Sequence, residues 1–212
     1  ERISSGLANG VSADGTVVVG ENNSGAFIWT LDGVTNIGER DAIAASADGS
    51  LIIGDTSSGP GNSAGRYEAG VWTIFGGLGC SGCSASGFLW SASEGMFELP
   101  RLGASSTRAD TISGDGGVIG GWDQASNGSR RAAVWYENAK TGIWEEFLPL
   151  EGTAGNAAGY GEVNGCNGDG SILVGSADGG GNSTSGAFVI REGEGFELLG
   201  LLPPQDSPVT GG

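Results

Sequence analysis

The sequence predicts an all-β protein built from repeated four-stranded antiparallel units, and three observations lead to this prediction. Glycine accounts for 44 of the 212 residues without a collagen-like three-residue period, so these glycines are expected in turns and at close backbone approaches. An Asp-Gly phrase recurs four times along the chain. Each copy is followed by short apolar and aromatic runs of strand length. Four strands in every 35 to 65 residues, roughly, are typical of one blade of a β-propeller.

The Asp-Gly phrase predicts a hairpin in every repeat. Its copies are VSADGTVVVG (11–20), ASADGSLIIG (45–54), ISGDGGVIG (112–120) and CNGDGSILVG (166–175). Glycine accepts a positive φ and aspartate hydrogen-bonds to the nearby turn backbone, so the pair suits a tight reversal. A turn residue repeated in every blade is better explained by geometry than by catalysis. The aspartates interpreted in this way are Asp14, Asp48, Asp115 and Asp169.

The first two strands of each repeat differ in character. The first has a small or β-branched residue in one register, at Ala8, Ala42, Ala109 and Val163. The second is a continuous apolar run, at 17–19, 51–53, 118–119 and 172–174. Because such a run does not alternate, both of its faces are expected to be covered by neighbouring blades.

The last two strands complete the blade. The third is expected to carry an aromatic residue, at Trp29, Trp72, Trp135 or Phe188. The fourth alternates, as in Phe97-Glu98-Leu99 and Phe196-Glu197-Leu198, which suits an exposed outer edge. A glycine-rich β-helix is the main rival, but its coils would repeat about every 20 residues.

The repeats divide the chain into approximate blades at 5–38, 40–103, 104–152 and 155–202, with a tail at 203–212. Residues 74–103 form an irregular or extra half-blade. Either a fifth blade has lost its first two strands, or residues 74–86 are an insertion. Four blades, five blades and an arc of a larger ring all agree with this pattern.

The phrase SADGTVVVG, followed by AFIWT and NIG, resembles the HAF repeats of bacterial proteins predicted to be extracellular. The Ser-x-Asp-Gly hairpin is also similar to that of TolB-like propeller repeats. This resemblance covers nearly the whole chain and implies a secreted or cell-surface bacterial protein, without implying an enzyme. The third copy departs from the pattern by being one residue short between Asp115 and Gly120. The fourth departs by having Asn167 in place of serine and Ile190 in place of tryptophan.

The charge and cysteine content exclude several kinds of function. A net charge of −16 would repel nucleic acid and anionic membranes, and no stretch approaches the roughly 20 apolar residues that membrane insertion needs. Since the chain has no histidine, a Ser-His-Asp triad and the usual Cys/His zinc sites are excluded. Cys80 and Cys83 are expected to form a local disulfide, because no βαβ pattern surrounds them as in a thioredoxin-like site. Cys166 is expected to be a core thiol.

Propeller geometry predicts one binding surface, where the loops between second and third strands meet the starts of the first strands. Exposed aromatic residues beside Asn and Asp suit a protein or glycan ligand, and Asp/Asn clusters suit Ca²⁺. No other cofactor is implied. The candidate ligand-binding residues are Asn9, Glu21, Asn22, Asn23, Asp55, Tyr67, Asp110, Trp122, Asp123, Asn164, Asp178 and Asn182.

The function expected from these features is that of a secreted or cell-surface binding or structural module, such as a component of a surface layer or filament. No residue is nominated as catalytic. The alternative is a hydrolase or lyase acting on polysaccharide, which needs two carboxyl groups about 5 to 10 Å apart. If the blades form an open arc, the strand edges offer a route to self-association.

Overall fold

The structure is a computed structural model, and it describes residues 6–38, 41–57, 65–68, 71–74, 85–102, 106–153, 156–177 and 186–199. All regular secondary structure in these ranges is β-strand. None of the described residues belongs to a helix long and apolar enough to cross a bilayer.

Within these ranges four four-stranded antiparallel sheets follow one another, with one small hairpin inserted in the second sheet and another between the third and fourth. The first sheet contains β1 (Gly6–Val11), β2 (Val18–Asn22), β3 (Gly25–Thr30) and β4 (Gly33–Asn36). The second contains β5 (Ala42–Ala45), β6 (Leu51–Ser57), β9 (Ala85–Ser91) and β10 (Gly95–Glu98), with the hairpin β7 (Gly65–Glu68) and β8 (Val71–Ile74) inserted after β6. The third contains β11 (Thr107–Ile112), β12 (Val118–Gln124), β13 (Arg130–Asn138) and β14 (Ile143–Phe147). After the hairpin β15 (Glu151–Thr153) and β16 (Asn156–Ala158), the fourth contains β17 (Gly161–Cys166), β18 (Ile172–Ala177), β19 (Gly186–Arg191) and β20 (Gly195–Leu198).

The second sheet differs from the sequence-based assignment of its third strand. Residues 85–91 pair along the whole of β6, whereas the AGVWT phrase that contains Trp72 pairs with β7 in the separate hairpin. The half-repeat at 87–103 therefore supplies the third and fourth strands of the second sheet. The physical reason is register: Ile52 pairs with Trp90 as Val18 pairs with Trp29 in the first sheet.

The first strand of each sheet, which we call the inner strand, carries a β-bulge at the same place. These strands are β1, β5, β11 and β17. The pairing with the second strand shifts by one residue after Ala8, Ala42, Ala109 and Val163, so the bulged residues are Asn9, Ile43, Asp110 and Asn164. Opposite each bulge lies a glycine of the second strand. A Cβ on Gly121 would lie 1.9 Å from the Arg108 carbonyl oxygen, and Gly20, Gly54 and Gly175 are equally confined. Only glycine allows this close approach.

This register corrects the alignment of the third copy. Gly121, not Gly120, faces the bulge, so the third copy has the same spacing from its Asp-Gly turn as the others. Gly120 takes the place of Val19, the third residue of the apolar run in the second strand of the first sheet. A Cβ on Gly120 would lie 2.5 Å from Cγ1 of Val163. The neighbouring sheet fills the space that a larger side chain would need.

The Asp-Gly phrases form the turns between first and second strands. In the first turn Ser12 donates to Asp14 at 2.7 Å and accepts from the Val17 amide at 3.0 Å. In the fourth turn Asn167 takes over the acceptor role, accepting from the Ile172 amide at 2.8 Å.

Consecutive turns are also hydrogen-bonded to each other, and we call this series the turn belt. Ala13 N–H donates to the Ala47 carbonyl at 2.8 Å, and Ala47 N–H donates to the Gly114 carbonyl at 2.9 Å. Asp115 N–H then donates to the Gly168 carbonyl at 3.0 Å. The turn belt therefore sets the four sheets side by side in chain order.

The sheets stack face to face through three apolar clusters. We call the face carrying Val18 in the first sheet, and its equivalents in the others, the leading face; the opposite face, carrying Val19, is the trailing face. The trailing face of each of the first three sheets packs on the leading face of the next. The buried residues of the three interfaces include Val19 with Ile52, Ile53 with Ile119, and Val134 with Leu173.

Two sequence-based expectations need correction at this level. Phe188 pairs opposite Gly175, as Phe27 pairs opposite Gly20, so Ile190 rather than Phe188 is the equivalent of Trp29. The expectation that both faces of every second strand are covered is also wrong for the fourth sheet. Ile172 and Val174 remain 38 % and 41 % exposed on its trailing face, because none of the described strands packs over them.

Candidate functional site

A charged cluster lies where the second strands end and the inner strands begin. Its members are Asp55 on β6, Arg108 and Asp110 on β11, and Glu162 on β17, and we call it the rim cluster. Nε of Arg108 lies 2.7 Å from Oδ1 of Asp110 and 4.0 Å from Oδ2 of Asp55. The groups come from the second, third and fourth sheets, on β6, β11 and β17 respectively. The stacking of the sheets therefore creates the cluster.

Asp110 is the most perturbed carboxyl group of the rim cluster. Its side chain is only 10 % exposed, since the bulge turns residue 110 away from the regular alternation of β11. Burial raises the pKa of Asp110 to about 6, against the lowering effect of Arg108, and the charges of Glu162 and Asp55 add to the rise. Among the described residues no donor reaches its buried Oδ2.

Trp122 lies beside the rim cluster but presents no free ring face to a ligand. The indole is buried, and the guanidinium carbon of Arg130 lies 4.6 Å from the ring centroid in a cation–π contact. Arg130 also pairs with Glu162. The arginine thus joins Trp122 to the rim cluster and covers the surface on which a sugar ring would stack.

A second pair of carboxyl groups lies deeper in the third sheet. Asp123 is fully buried and accepts from Arg131 at 3.1 Å, and Glu146 interacts with Asp123 through a side-chain hydrogen bond. Burial raises the pKa of Glu146 to about 8, and the charge of Asp123 adds to the rise. The Leu102 amide donates to Glu146. Because the two carboxyl groups are in hydrogen-bond contact, they lack the separation that glycoside hydrolysis requires.

The candidate asparagines have structural contacts. Asn9 donates from Nδ2 to the Ala42 carbonyl at 3.0 Å, which ties the first bulge to the second sheet. Asn22 donates to Asn36 and accepts from the Ser24 amide at 2.7 Å, so it shapes the turn between β2 and β3. Asn164 is exposed at the bulge of β17.

The remaining candidates are distributed as follows. Glu21 lies on β2, and Asn23 is exposed in the turn that follows. Tyr67 lies on β7, opposite Trp72, and its side chain is outside the described part of the chain. Asp178, Asn182, Cys80 and Cys83 are also outside the described residues, so the Ca²⁺-binding role of the first two and the disulfide of the cysteines stay predictions.

The other titratable groups fit structural roles. Hydrogen bonds from Ser46 and Ser50 lower the pKa of Asp48 to about 2, and serine donors likewise lower the pKa values of Asp14, Asp115 and Asp169. Cys166 is a half-buried free thiol whose pKa is raised by burial. Within the described ranges, no group of three or more acidic or cysteine side chains is arranged to hold a metal ion.

The structure thus brings together Asp55, Asp110, Trp122 and Asp123 at one end of the sheets. The sequence reasoning missed the residues that organise them, which are Arg108, Arg130, Arg131, Glu146 and Glu162. The scarcity of positive charge offered a signal: the chain has only 9 basic residues, and three of them stand within 23 positions of one another in the third repeat.

Comparison with solved structures agrees with this architecture. A structure from Agrobacterium tumefaciens assigned as a TolB protein superposes with a TM-score of 0.54 at 13 % identity, covering 93 % of this chain and 62 % of that one. The fold is β-propeller-like. TolB from Acinetobacter baumannii gives a TM-score of 0.46 at 17 % identity over 87 % of this chain and 40 % of that one. The present chain spans less than two thirds of either protein's length.

No protein-family model matches the chain, and no curated protein matches it significantly. The resemblance to HAF repeats therefore has no support from a family match. At 13 % identity, the likeness to the Agrobacterium structure shows the fold alone.

Proposed function

We propose that this chain is a binding module that takes a basic segment of a protein partner at the rim cluster. The observation that carries the proposal is Asp110, whose buried Oδ2 accepts no hydrogen bond from the described residues. Unsatisfied buried carboxylate oxygens are costly, and a ligand N–H would relieve that cost. Asp55 and Glu162 act on the same carboxyl group, so a cationic donor suits the position best.

The contacts around the rim cluster support a peptide over a glycan. Recognition of a sugar would use an open aromatic face, but Arg130 covers the ring of Trp122. A lysine or arginine side chain needs only acceptor oxygens, which the rim cluster supplies. The net charge of −16 would also accelerate the approach of a basic partner.

The proposed setting is the cell surface or the extracellular space, and the resemblance of the repeated phrase to HAF repeats of bacterial proteins predicted to be extracellular supports it. A structural role in a surface layer belongs to the same proposal. A polysaccharide-cleaving activity is the competing function, and Asp110 with its raised pKa is the residue that would serve it as an acid.

The test measures binding of a fluorescent arginine-rich peptide to the wild type and to two variants of equal charge. Asp110→Asn should weaken binding by at least about tenfold. Asp32→Asn removes the same charge from an exposed turn and should change the affinity little. Equal effects of the two variants would mean that only the overall charge attracts the peptide, and the proposal would fail.

A second measurement separates binding from catalysis. Because protonation of Asp110 would compete with a cationic ligand, wild-type affinity should fall as the pH drops through about 6, and Asp110→Asn should lose this dependence. Release of reducing ends from polysaccharides by the wild type, abolished in Asp110→Asn, would instead establish the hydrolase.

A further inference from the structure

On one face of each end sheet several apolar positions are exposed among the described residues, although Phe27 on the first sheet and Val189 on the fourth are buried on those faces. On the trailing face of the fourth sheet Val174 is 41 % exposed, whereas its equivalent in the second sheet, Ile53, is completely buried. Ala187 is exposed there too, although its equivalents Ala26 and Ala132 are completely buried. These positions are buried in the first three sheets because the next sheet packs on them.

The leading face of the first sheet shows the complementary difference. Val11 is 58 % exposed, whereas the equivalent Ile112 in the third sheet is 8 % exposed. Ala8 is exposed, but Ala42 and Ala109 at the same register are completely buried. Here the positions are uncovered because no described sheet precedes the first.

We propose that a second copy of this chain covers these faces, with the trailing face of the fourth sheet of one copy packed on the leading face of the first sheet of the next. The occupant follows from continuity with the existing interfaces. The three interfaces among the described sheets each join a trailing face to a leading face, and the two faces with exposed apolar positions are one of each kind. The contact is heterologous, so copies add head to tail.

The turn belt supports the same contact. Its hydrogen bonds start at Ala13 in the first turn and end at Gly168 in the fourth. In the proposed assembly the next bond of the series joins the fourth turn of one copy to the first turn of its neighbour. This assembly uses sheet faces, and therefore differs from pairing through the outer strand edges β4 and β20.

The net charge of the chain predicts how the assembly depends on salt concentration. Two copies with a net charge of −16 each repel one another, while the contact itself is apolar. Assembly should therefore increase with salt, which screens the repulsion and leaves the burial of apolar area as the driving force.

The experiment uses two variants that each block one face. Val174→Glu places a charge on the trailing face, and Val11→Glu places one on the leading face; both residues are exposed, so the fold should tolerate the changes. Leu31→Glu adds the same charge at a turn where the side chain is 87 % exposed and is the matched control. The molar mass is measured by light scattering from micromolar to near-millimolar protein.

The wild type and Leu31→Glu should increase in mass with concentration, and each blocked variant alone should stay a single copy. An equimolar mixture of Val174→Glu and Val11→Glu should form a two-copy species, because one variant keeps an intact leading face and the other an intact trailing face. A wild type that stays a single copy would overturn the proposal, and so would blocked variants that assemble like the control. A mixture that remains single copies would also overturn it.

Discussion

At the scale of single residues, the pair Asp123 and Glu146 places two carboxyl groups in contact inside the third sheet. Such a pair is stable only while one of the two groups holds a proton. Burial is the main reason that the pKa of Glu146 rises from 4.5 to about 8. The proton thus relieves the repulsion between the two carboxyl groups inside the third sheet.

This raised pKa makes stability depend on pH. The folded state holds a proton on Glu146 that the unfolded state has released above its ordinary pKa of 4.5, so the contribution is complete below 4.5 and is lost as the pH rises through about 8. Between about pH 6.5 and about pH 8.5 the wild type should lose stability in urea unfolding. Glu146→Gln, which stays neutral, should show a flatter profile.

Glu145→Gln is the matched control, since Glu145 lies on the opposite face of β14 and bonds to Asn138. It should retain the wild-type slope. Asp110 does not contribute to the slope above about pH 6.5, because its contribution to the pH dependence of stability is lost as the pH rises through its pKa of about 6. Identical slopes for Glu146→Gln and the wild type would show that the pair does not share a proton.

Sequence reasoning nominated some of the residues that the structure brings together at this scale. Asp55, Asp110, Trp122 and Asp123 could be nominated because the repeat placed them at one end of their strands. Their partner Glu146 could not, because it comes from an outer strand and meets Asp123 only through the pairing of three strands. The contact of Arg130 with the Trp122 ring likewise could not be predicted, because it depends on the conformation of the arginine side chain.

At the scale of the elements, the bulge and its facing glycine form one device that repeats in all four sheets. The extra residue in each inner strand brings a backbone carbonyl toward the second strand, as in the 1.9 Å separation between a Cβ on Gly121 and the Arg108 oxygen. The glycine is thus required by the backbone and not by a turn.

Gly121→Ala should therefore destabilise the protein by about 1–3 kcal/mol or more, because the clash is with main chain and cannot be relieved by a rotamer change. Urea unfolding measures the difference.

Gly117→Ser is the matched control. A Cβ on Gly117 meets nothing closer than 3.5 Å, and the equivalent Ser50 donates to its Asp-Gly aspartate at 2.8 Å. This variant should be neutral or more stable by up to about 1 kcal/mol. A loss of stability equal to that of Gly121→Ala would mean that the close approach at the bulge is not the cause.

The hairpins and Asp-Gly turns could be predicted from the sequence, because each depends on neighbouring residues. It misassigned the third strand of the second sheet, because AGVWT at 69–73 matches the repeat as closely as the true strand at 85–91 does. Only pairing along β6 distinguishes them. Local composition cannot show which of two similar strands reaches a given partner.

At the scale of the whole molecule, coverage differs between the middle and the ends of the stack. Among the described residues, apolar clusters lie on both faces of the third sheet, whereas the cluster at the fourth sheet lies on its leading face. The sequence could not show this, because the apolar run of β18 resembles that of β6.

Amide hydrogen exchange should reveal the difference. Opening free energies follow local burial, so amides of β12 and β13 should exchange more slowly than those of β18 and β19. The Val11→Glu variant suits the measurement, because it leaves both compared sheets unchanged while blocking the proposed assembly. Equal protection in the two sheets would show that the stack opens as a single unit.

The turn belt also has a consequence for how a chain of this kind can grow. Every interface joins the same two faces, and each turn donates to the turn of the next sheet. Duplication of one complete repeat would therefore add an interface of existing chemistry, as in other proteins built from stacked repeats. Duplication of half a repeat would instead add two strands that do not form a complete sheet face, so gene rearrangements that preserve folding should have boundaries one whole repeat apart.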